Sequence, residues 1–290
     1  MKEIVVISGK GGTGKTSIAA SFAWLGGKDV IVADCDVDAA DMHLLMQPDY
    51  HESEDFYSGE KAIIDQDKCT QCRCCIDVCR FDAISIRDDM LYVDPLECEG
   101  CGYCARICPE NAITNEIQNA GQWYISTIKT GSTMVHARLG IGADNSGKLV
   151  AKVKNEARKI AIEENKDIIL IDGSPGIGCP VISSLSGVDF AVLVSEPTIS
   201  GLHDLKRVNE LVKKFKARAG GIINKADLNI RITGQIEHYM KSENILHLAN
   251  LPYDEIFTYS MTCGKTIVEY ARNDLTTSIS VIWDTIKQAI

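Results

Sequence analysis

Residues 9–16 read Gly9-Lys10-Gly11-Gly12-Thr13-Gly14-Lys15-Thr16, and the chain on either side agrees about their shape. Before them runs Ile4-Val5-Val6-Ile7, a continuous branched apolar stretch of the kind that forms a strand buried on both faces. After them, Lys15 to Leu25 reads as a helix that Gly26-Gly27 can end. Strand, glycine loop and helix give the pattern G-x-x-x-x-G-K-S/T the context of a phosphate-binding loop. Glycines let backbone N–H groups turn inward onto phosphate oxygens, and the helix N-terminus adds its positive end. Lys15 supplies charge for the β- and γ-phosphates and Thr16 a hydroxyl for Mg²⁺. Gly9 to Thr16, with Ser17 next in the helix, are the candidate nucleotide contacts.

The chain has 290 residues, 45% of them hydrophobic, which is enough for a sizeable core. Its formal net charge of −10 argues against a general nucleic-acid binder. No apolar run approaches the length of a membrane span, and Ile4–Ile7 is too short for a signal sequence. A cytoplasmic protein is expected, where thiols are seldom structural disulfides. Nine of the 12 cysteines lie between Cys69 and Cys108; Cys35, Cys179 and Cys263 stand alone. That clustering suggests a module inserted into a larger fold.

Further strands end in acids. Val30-Ile31-Val32-Ala33 leads to Asp34-Cys35-Asp36-Val37-Asp38. Carboxylates at the C-terminal end of a parallel strand sit beside the phosphate crevice, where one can hold the Mg²⁺ water shell and another orient the attacking water. Asp38 and Asp41 read instead as turn or capping residues. A helical stretch from Gly147 to Asn165 precedes the buried run Ile168-Ile169-Leu170-Ile171-Asp172, then Gly173-Ser174-Pro175-Gly176. Asp172 is a second Mg²⁺ candidate, and Gly176 can offer its N–H to the γ-phosphate. Phe190–Val194 reads as another strand. Leu202, Leu205, Val208, Val212 and Phe215 mark one helix face, and Gly220–Lys225 reads as the next strand and its end. Strands alternating with helices predict an α/β fold with a doubly wound, mostly parallel sheet.

With its second lysine, GKGGTGKT resembles the deviant Walker A loop of the MinD, Mrp and nitrogenase iron-protein class of P-loop ATPases. The resemblance implies a homodimer on ATP binding, with Lys10 reaching the partner's nucleotide. It implies that Asp34 to Asp38 form switch I, with Asp36 the catalytic aspartate and Asp34 nearer the metal, and that Asp172 to Gly176 form switch II. It also implies that Asn224 reads the base and that Leu251-Pro252-Tyr253-Asp254 covers it. Asn224-Lys225-Ala226-Asp227 spells N-K-x-D as well, a guanine-reading pattern. The order of motifs favours ATP, with GTP left open.

Two cysteine runs repeat each other. IDQDKCTQCRCCIDVCRFDAISI, residues 64–86, aligns with VDPLECEGCGYCARICPENAITN, residues 93–115. Both carry C-x-x-C-x-x-C-x-x-x-C, the pattern of a two-cluster bacterial-type ferredoxin, whose fourth cysteine serves the other cluster. Cys69, Cys72, Cys75 and Cys108 are thus candidate ligands of one 4Fe–4S cluster, and Cys98, Cys101, Cys104 and Cys79 of a second. The fourth cysteine is expected to begin a helical turn that points toward the neighbouring cluster. Cys74 aligns with Tyr103, so it is expected to be free. Zinc is the rival metal, since C-x-x-C pairs also form zinc sites. The repeat places a small α+β ferredoxin domain at residues 60–114, inserted into an ATPase domain of residues 1–59 and 115–290.

Cys179 follows Asp172 at the distance where nitrogenase iron-protein relatives carry a ligand of a cluster bridging two subunits. A buried thiol is the simpler expectation, because residues 131–147 hold no second cysteine. Met134 to Arg138 reads as a strand with one wet face carrying His136 and Arg138. Ile282, Trp283 and Ile286 suggest a packed terminal helix; the stretch lacks the basic excess of a membrane anchor. Three functions are consistent with these features. One is an ATPase whose nucleotide state gates electron transfer through two 4Fe–4S clusters to a redox partner protein. Another is an ATP-dependent cluster or metal carrier. The third is a MinD-like positioning switch with a redox-sensing module.

Overall fold

The computed structural model describes residues 1–290. Its strands are β1 (Lys2–Ser8), β2 (Val30–Asp34), β3 (Glu52–Ile64), β4 (Ile84–Arg87), β5 (Met90–Val93), β6 (Ile113–Thr127), β7 (Thr133–Leu139), β8 (Ile168–Asp172), β9 (Phe190–Ser195), β10 (Arg218–Ile223) and β11 (Leu246–Asn250). Nine form one sheet, ordered β11-β10-β9-β1-β8-β2-β7-β6-β3, and β4-β5 form a separate hairpin. Parallel pairing runs from β11 through to β7. The order reverses around β1, so the glycine loop leaves the carboxyl end of β1 at the switch point where open α/β sheets bind ligands.

Alternation explains why β1 is apolar throughout. Ile4 and Val6 enter the core that holds Ile18, Phe22, Ile279 and Trp283, whereas Val5 and Ile7, equally buried, point to the opposite face. The terminal helix Asp274–Ala289 buries Leu275, Ile279, Ile282, Trp283 and Ile286, and Trp283 stacks on Phe22 with ring centroids 5.4 Å apart. No helix is long and apolar enough to cross a membrane.

Two compact units divide the chain. One comprises Met1–Glu54, Trp123–Arg138 and Ser146–Ile290; the other comprises Asp55–Gln122 with Leu139–Asn145. The second unit extends beyond the 60–114 delimited by the cysteine repeat. The long strands β3 and β6 carry the chain in and out of it, and neither has a composition break at the crossing. Within the second unit, Ile84, Leu91 and Ile113 pack with Ala62 and Cys75 into a small core. Asp88 and Asp89, both at positive φ, close the β4–β5 hairpin as a two-residue turn of the primed type.

The strand at Met134–Arg138 has no wet face along most of its length. β7 lies against β2, and Met134, Val135, His136 and Ala137 are all buried. His136 bonds Ser126 Oγ at 2.9 Å and sits among Tyr50 and Tyr124. Burial, reinforced by repulsion from His43, lowers its pKa to about 4. The folded state therefore binds fewer protons than the unfolded chain between that value and the ordinary histidine pKa of about 6.5. The His136 contribution to stability is expected to rise with pH across this window by up to about 3 kcal/mol. Denaturant midpoints measured from pH 4 to 7 should show the native protein gaining on His136→Gln as pH rises.

Candidate nucleotide site and thiol pockets

The phosphate-loop lysine lies within a cluster of acids. The helix Lys15–Gly26 starts behind Gly14, which stands at φ 89° in the left-handed region. Lys15 Nζ lies 2.6 Å from Asp172 Oδ1 and 3.1 Å from Asp36 Oδ2, and it donates to Thr16 Oγ1 at 3.2 Å. Lys15, Asp36 and Asp172 are all buried. Parallel register sets Asp34 beside Asp172 at the ends of β2 and β8. Burial alone would lower the Lys15 pKa, but Asp172 and Asp36 overcome it and hold the ammonium above its ordinary value. Asp34 is raised well above the carboxylate range, first by burial and then by Asp172. Burial also raises Asp36, with Lys15 opposing.

Of four buried polar side-chain atoms without a hydrogen-bond partner, three lie here: Thr13 Oγ1, Asp34 Oδ2 and Asp172 Oδ2. Lys15 is paired with two carboxylates, and the buried Asp34 carboxyl beside them is held to its proton for want of a cation, so the pocket is short of positive charge. Mg²⁺ commonly takes only one or two protein carboxylates and completes its shell with phosphate and water. Asp34, Asp172 and Thr16 thus fit a Mg²⁺–nucleotide, which would supply the missing positive charge.

The other loop contacts are intrachain. Lys10 Nζ pairs with Glu196 and lies 3.4 Å from Thr198 Oγ1 and 3.3 Å from Ser200 Oγ. Glu196 also pairs with Lys225 at 3.2 Å, and Lys225 reaches the Gly12 carbonyl at 3.2 Å. Sequence reasoning missed Glu196; its signal was an acid just beyond the carboxyl end of β9. Asn224 donates to the Thr13 carbonyl at 2.9 Å, which places it under the loop. Asp227 accepts the Tyr253 N–H at 2.6 Å, tying the Leu251–Asp254 segment, with exposed Pro252, to the short turn Ala226–Leu228 that follows β10. The Gly176 N–H donates to the Ser8 carbonyl at 2.9 Å. Cys179 is exposed, not buried as the sequence suggested.

The second unit repeats its geometry as it repeats its sequence. Asp65 N–H donates to the Ala112 carbonyl and Asp94 N–H to the Ala83 carbonyl, both at 2.7 Å. The start of each half is thus laid against the end of the other, and the fourth cysteine of each run is carried across. One pocket is lined by Cys69, Cys72, Cys74, Cys75 and Cys108. The other is lined by Cys79, Cys98, Cys101 and Cys104. No three His, Cys, Asp or Glu side chains converge as a single-ion site. Cys79 and Cys108 cap the ends of the short helices Cys74–Val78 and Tyr103–Ile107 in extended backbone. This corrects the expectation that the fourth cysteine begins a helical turn. It is the third that sits in the helix, and leaving the helix is what frees the fourth to cross.

The chain belongs to the CobQ/CobB/MinD/ParA nucleotide-binding family, whose profile matches residues 4–267. A protein of Methanocaldococcus jannaschii is 32% identical over 291 residues, covering 99% of this chain and 97% of the relative. The cell-division ATPase MinD of Pyrococcus furiosus superposes with a TM-score of 0.60 at 20% identity, covering 100% of this chain and 99% of MinD, a likeness of fold. The 7Fe ferredoxin of Hydrogenibacillus schlegelii is 39% identical over 49 residues, 17% of this chain and 63% of the ferredoxin. The protein is a P-loop ATPase of MinD type with a ferredoxin-like insert.

Two outcomes follow from the geometry. Because the folded-state pKa of Asp34 is raised, this group binds more protons in the folded protein than in the unfolded chain above the ordinary carboxylate range, and its contribution to stability falls as pH climbs. Without nucleotide or Mg²⁺, Asp34→Asn should reduce that fall in a pH series of denaturation midpoints. In the thiol loops, Gln71 and Arg73 adopt φ 59° and 64°, where the repeat has Gly100 and Gly102 at 63° and 70°. A Cβ at Gly100 would run into the Glu60 carbonyl. Gly100→Ala should cost about 1–3 kcal/mol in denaturant unfolding, whereas Arg73→Gly should be neutral or stabilising by up to about 1 kcal/mol.

Proposed function

We propose that the protein is an ATP-hydrolysing iron–sulfur protein in which nucleotide state gates electron transfer through two 4Fe–4S clusters to a partner protein. The observation that carries this reading is the partition of the cysteines. Each pocket gathers thiols of one run and the fourth cysteine of the other, Cys108 with Cys69, Cys72, Cys74 and Cys75, and Cys79 with Cys98, Cys101 and Cys104, the crossed arrangement of a two-cluster ferredoxin. Such clusters, when bound, would supply one-electron carriers.

In the ATPase half, Lys15 engages the β- and γ-phosphates once they draw it from Asp36 and Asp172. Asp36, so released, would orient the attacking water; Asp34, Asp172 and Thr16 would hold Mg²⁺ and its water shell. Lys10, freed from Glu196, serves the nucleotide of a second copy in a homodimer. The order of motifs favours adenine over guanine. Most of the formal charge of −10 falls in the second unit, which supports a redox partner with a basic docking face.

The test is anaerobic. Cluster midpoint potentials and the rate of electron transfer to an artificial acceptor are measured with ATP, with ADP and in Lys15→Ala. ATP is expected to change one or both in the native chain and neither in the variant. Identical potentials and rates under all three conditions would defeat the coupling. Iron passing to an apo-ferredoxin on ATP addition would favour the carrier function instead.

A further inference from the structure

The first thiol pocket holds one more sulfur than four-iron ligation needs. Among the eight candidate ligands, only Cys72 and Cys101, the equivalent second cysteines of the two runs, are exposed; the other six are buried or half-buried. Each pocket therefore has a single solvent-facing corner. At the first, Cys74 is also exposed, and its Sγ lies 3.8 Å from the Cys72 carbonyl oxygen. Its repeat partner Tyr103 lines the second pocket, so this position faces the cavity in both halves and differs only in chemistry, thiol against phenol. Cys74 also takes no part in the apolar packing that holds Cys69, Cys75 and Cys108, so turning its side chain breaks no core contact.

We infer that Cys74 is a second ligand for the solvent-facing corner of the first pocket, interchangeable with Cys72. This rests on the four-iron reading above. In the exchange an iron–sulfur bond to Cys74 forms while the bond to Cys72 breaks. The thiol proton of Cys74 passes to the departing Cys72 sulfur, so neither the charge nor the oxidation level of the metal changes. The first pocket can then lose Cys72 and keep its corner. The second pocket cannot lose Cys101 in the same way, because Tyr103 is no substitute.

The test uses the full chain reconstituted anaerobically with iron and sulfide. Iron per chain is measured for the native protein and for Cys74→Ala, Cys72→Ala, Cys101→Ala and Cys72→Ala/Cys74→Ala. Native protein, Cys74→Ala and Cys72→Ala are expected to hold about eight irons. Cys101→Ala and the double variant should lose iron and, on oxidation, show the paramagnetic signal of a three-iron cluster. Iodoacetamide followed by peptide mass analysis should find Cys74 labelled in the native protein and protected in Cys72→Ala. Equal iron loss in Cys72→Ala and Cys101→Ala overturns the inference, as does retained iron with Cys74 still labelled. Should Cys72→Ala fail to accumulate, a chelator challenge decides: iron loss several-fold faster from Cys74→Ala than from native protein supports the exchange, and equal rates overturn it. Native protein that takes up no iron overturns the cluster reading itself, a separate result.

Discussion

A buried ammonium shared by acids from separate strands is the constraint on which the ATPase half depends. Lys15 follows β1, Asp172 ends β8, and Asp36 lies just past β2, so these neighbouring parallel strands must end at a common level. A slip of one residue in β2 would turn its alternating side chains to the opposite face. The register is thus held both by apolar alternation and by the cost of an unpaired buried charge, on the order of 3–5 kcal/mol when one partner of such a pair is removed. The apolar runs and the acids that end them are parts of one specification.

The same arrangement makes the site responsive. Lys15 and Lys10 both have acidic partners within the chain, Asp36 and Asp172 for one and Glu196 for the other. In the proposed mechanism a triphosphate would offer each cation denser negative charge, and drawing the lysines away would free the loops that carry those acids. A ligand can shift such an equilibrium only by its differential affinity for the two arrangements. Here the differential lies in which anions the lysines face. Glu196, bridging Lys10 and Lys225, makes the segment after β9 part of that exchange.

Much of this was legible in the residues. The phosphate loop, the strands ending in Asp34 and Asp172, and the two cysteine runs each carry their chemistry at fixed local spacing. What was hidden depends on neighbours. His136 sits in a strand that reads as half-wet, and it is buried because β7 lies next to β2, a pairing that local sequence does not encode. The strands β3 and β6 are long and mixed in composition, so neither their length nor the edges of the second unit stood out. Glu196 looks like any acid after a strand until the fold brings Lys10 and Lys225 to it.

The internal repeat is also less symmetric than its spacing implies. Both thiol loops need left-handed backbone at two matching positions, and they meet the requirement differently. In the second loop, Gly100 and Gly102 carry no Cβ, and at Gly100 this lets the backbone approach the Glu60 carbonyl. In the first loop, Gln71 and Arg73 bear the cost of that conformation, and Gln71 offsets part of it by donating from Nε2 to the Asp89 carbonyl at 2.7 Å. One loop is pinned by side-chain hydrogen bonding to the β4–β5 turn, the other by close backbone packing. Cys74 faces one pocket where Tyr103 faces the other. Because hydrogen bonding and solvent access set the properties of iron–sulfur clusters, two pockets walled so differently would give any clusters they held different properties.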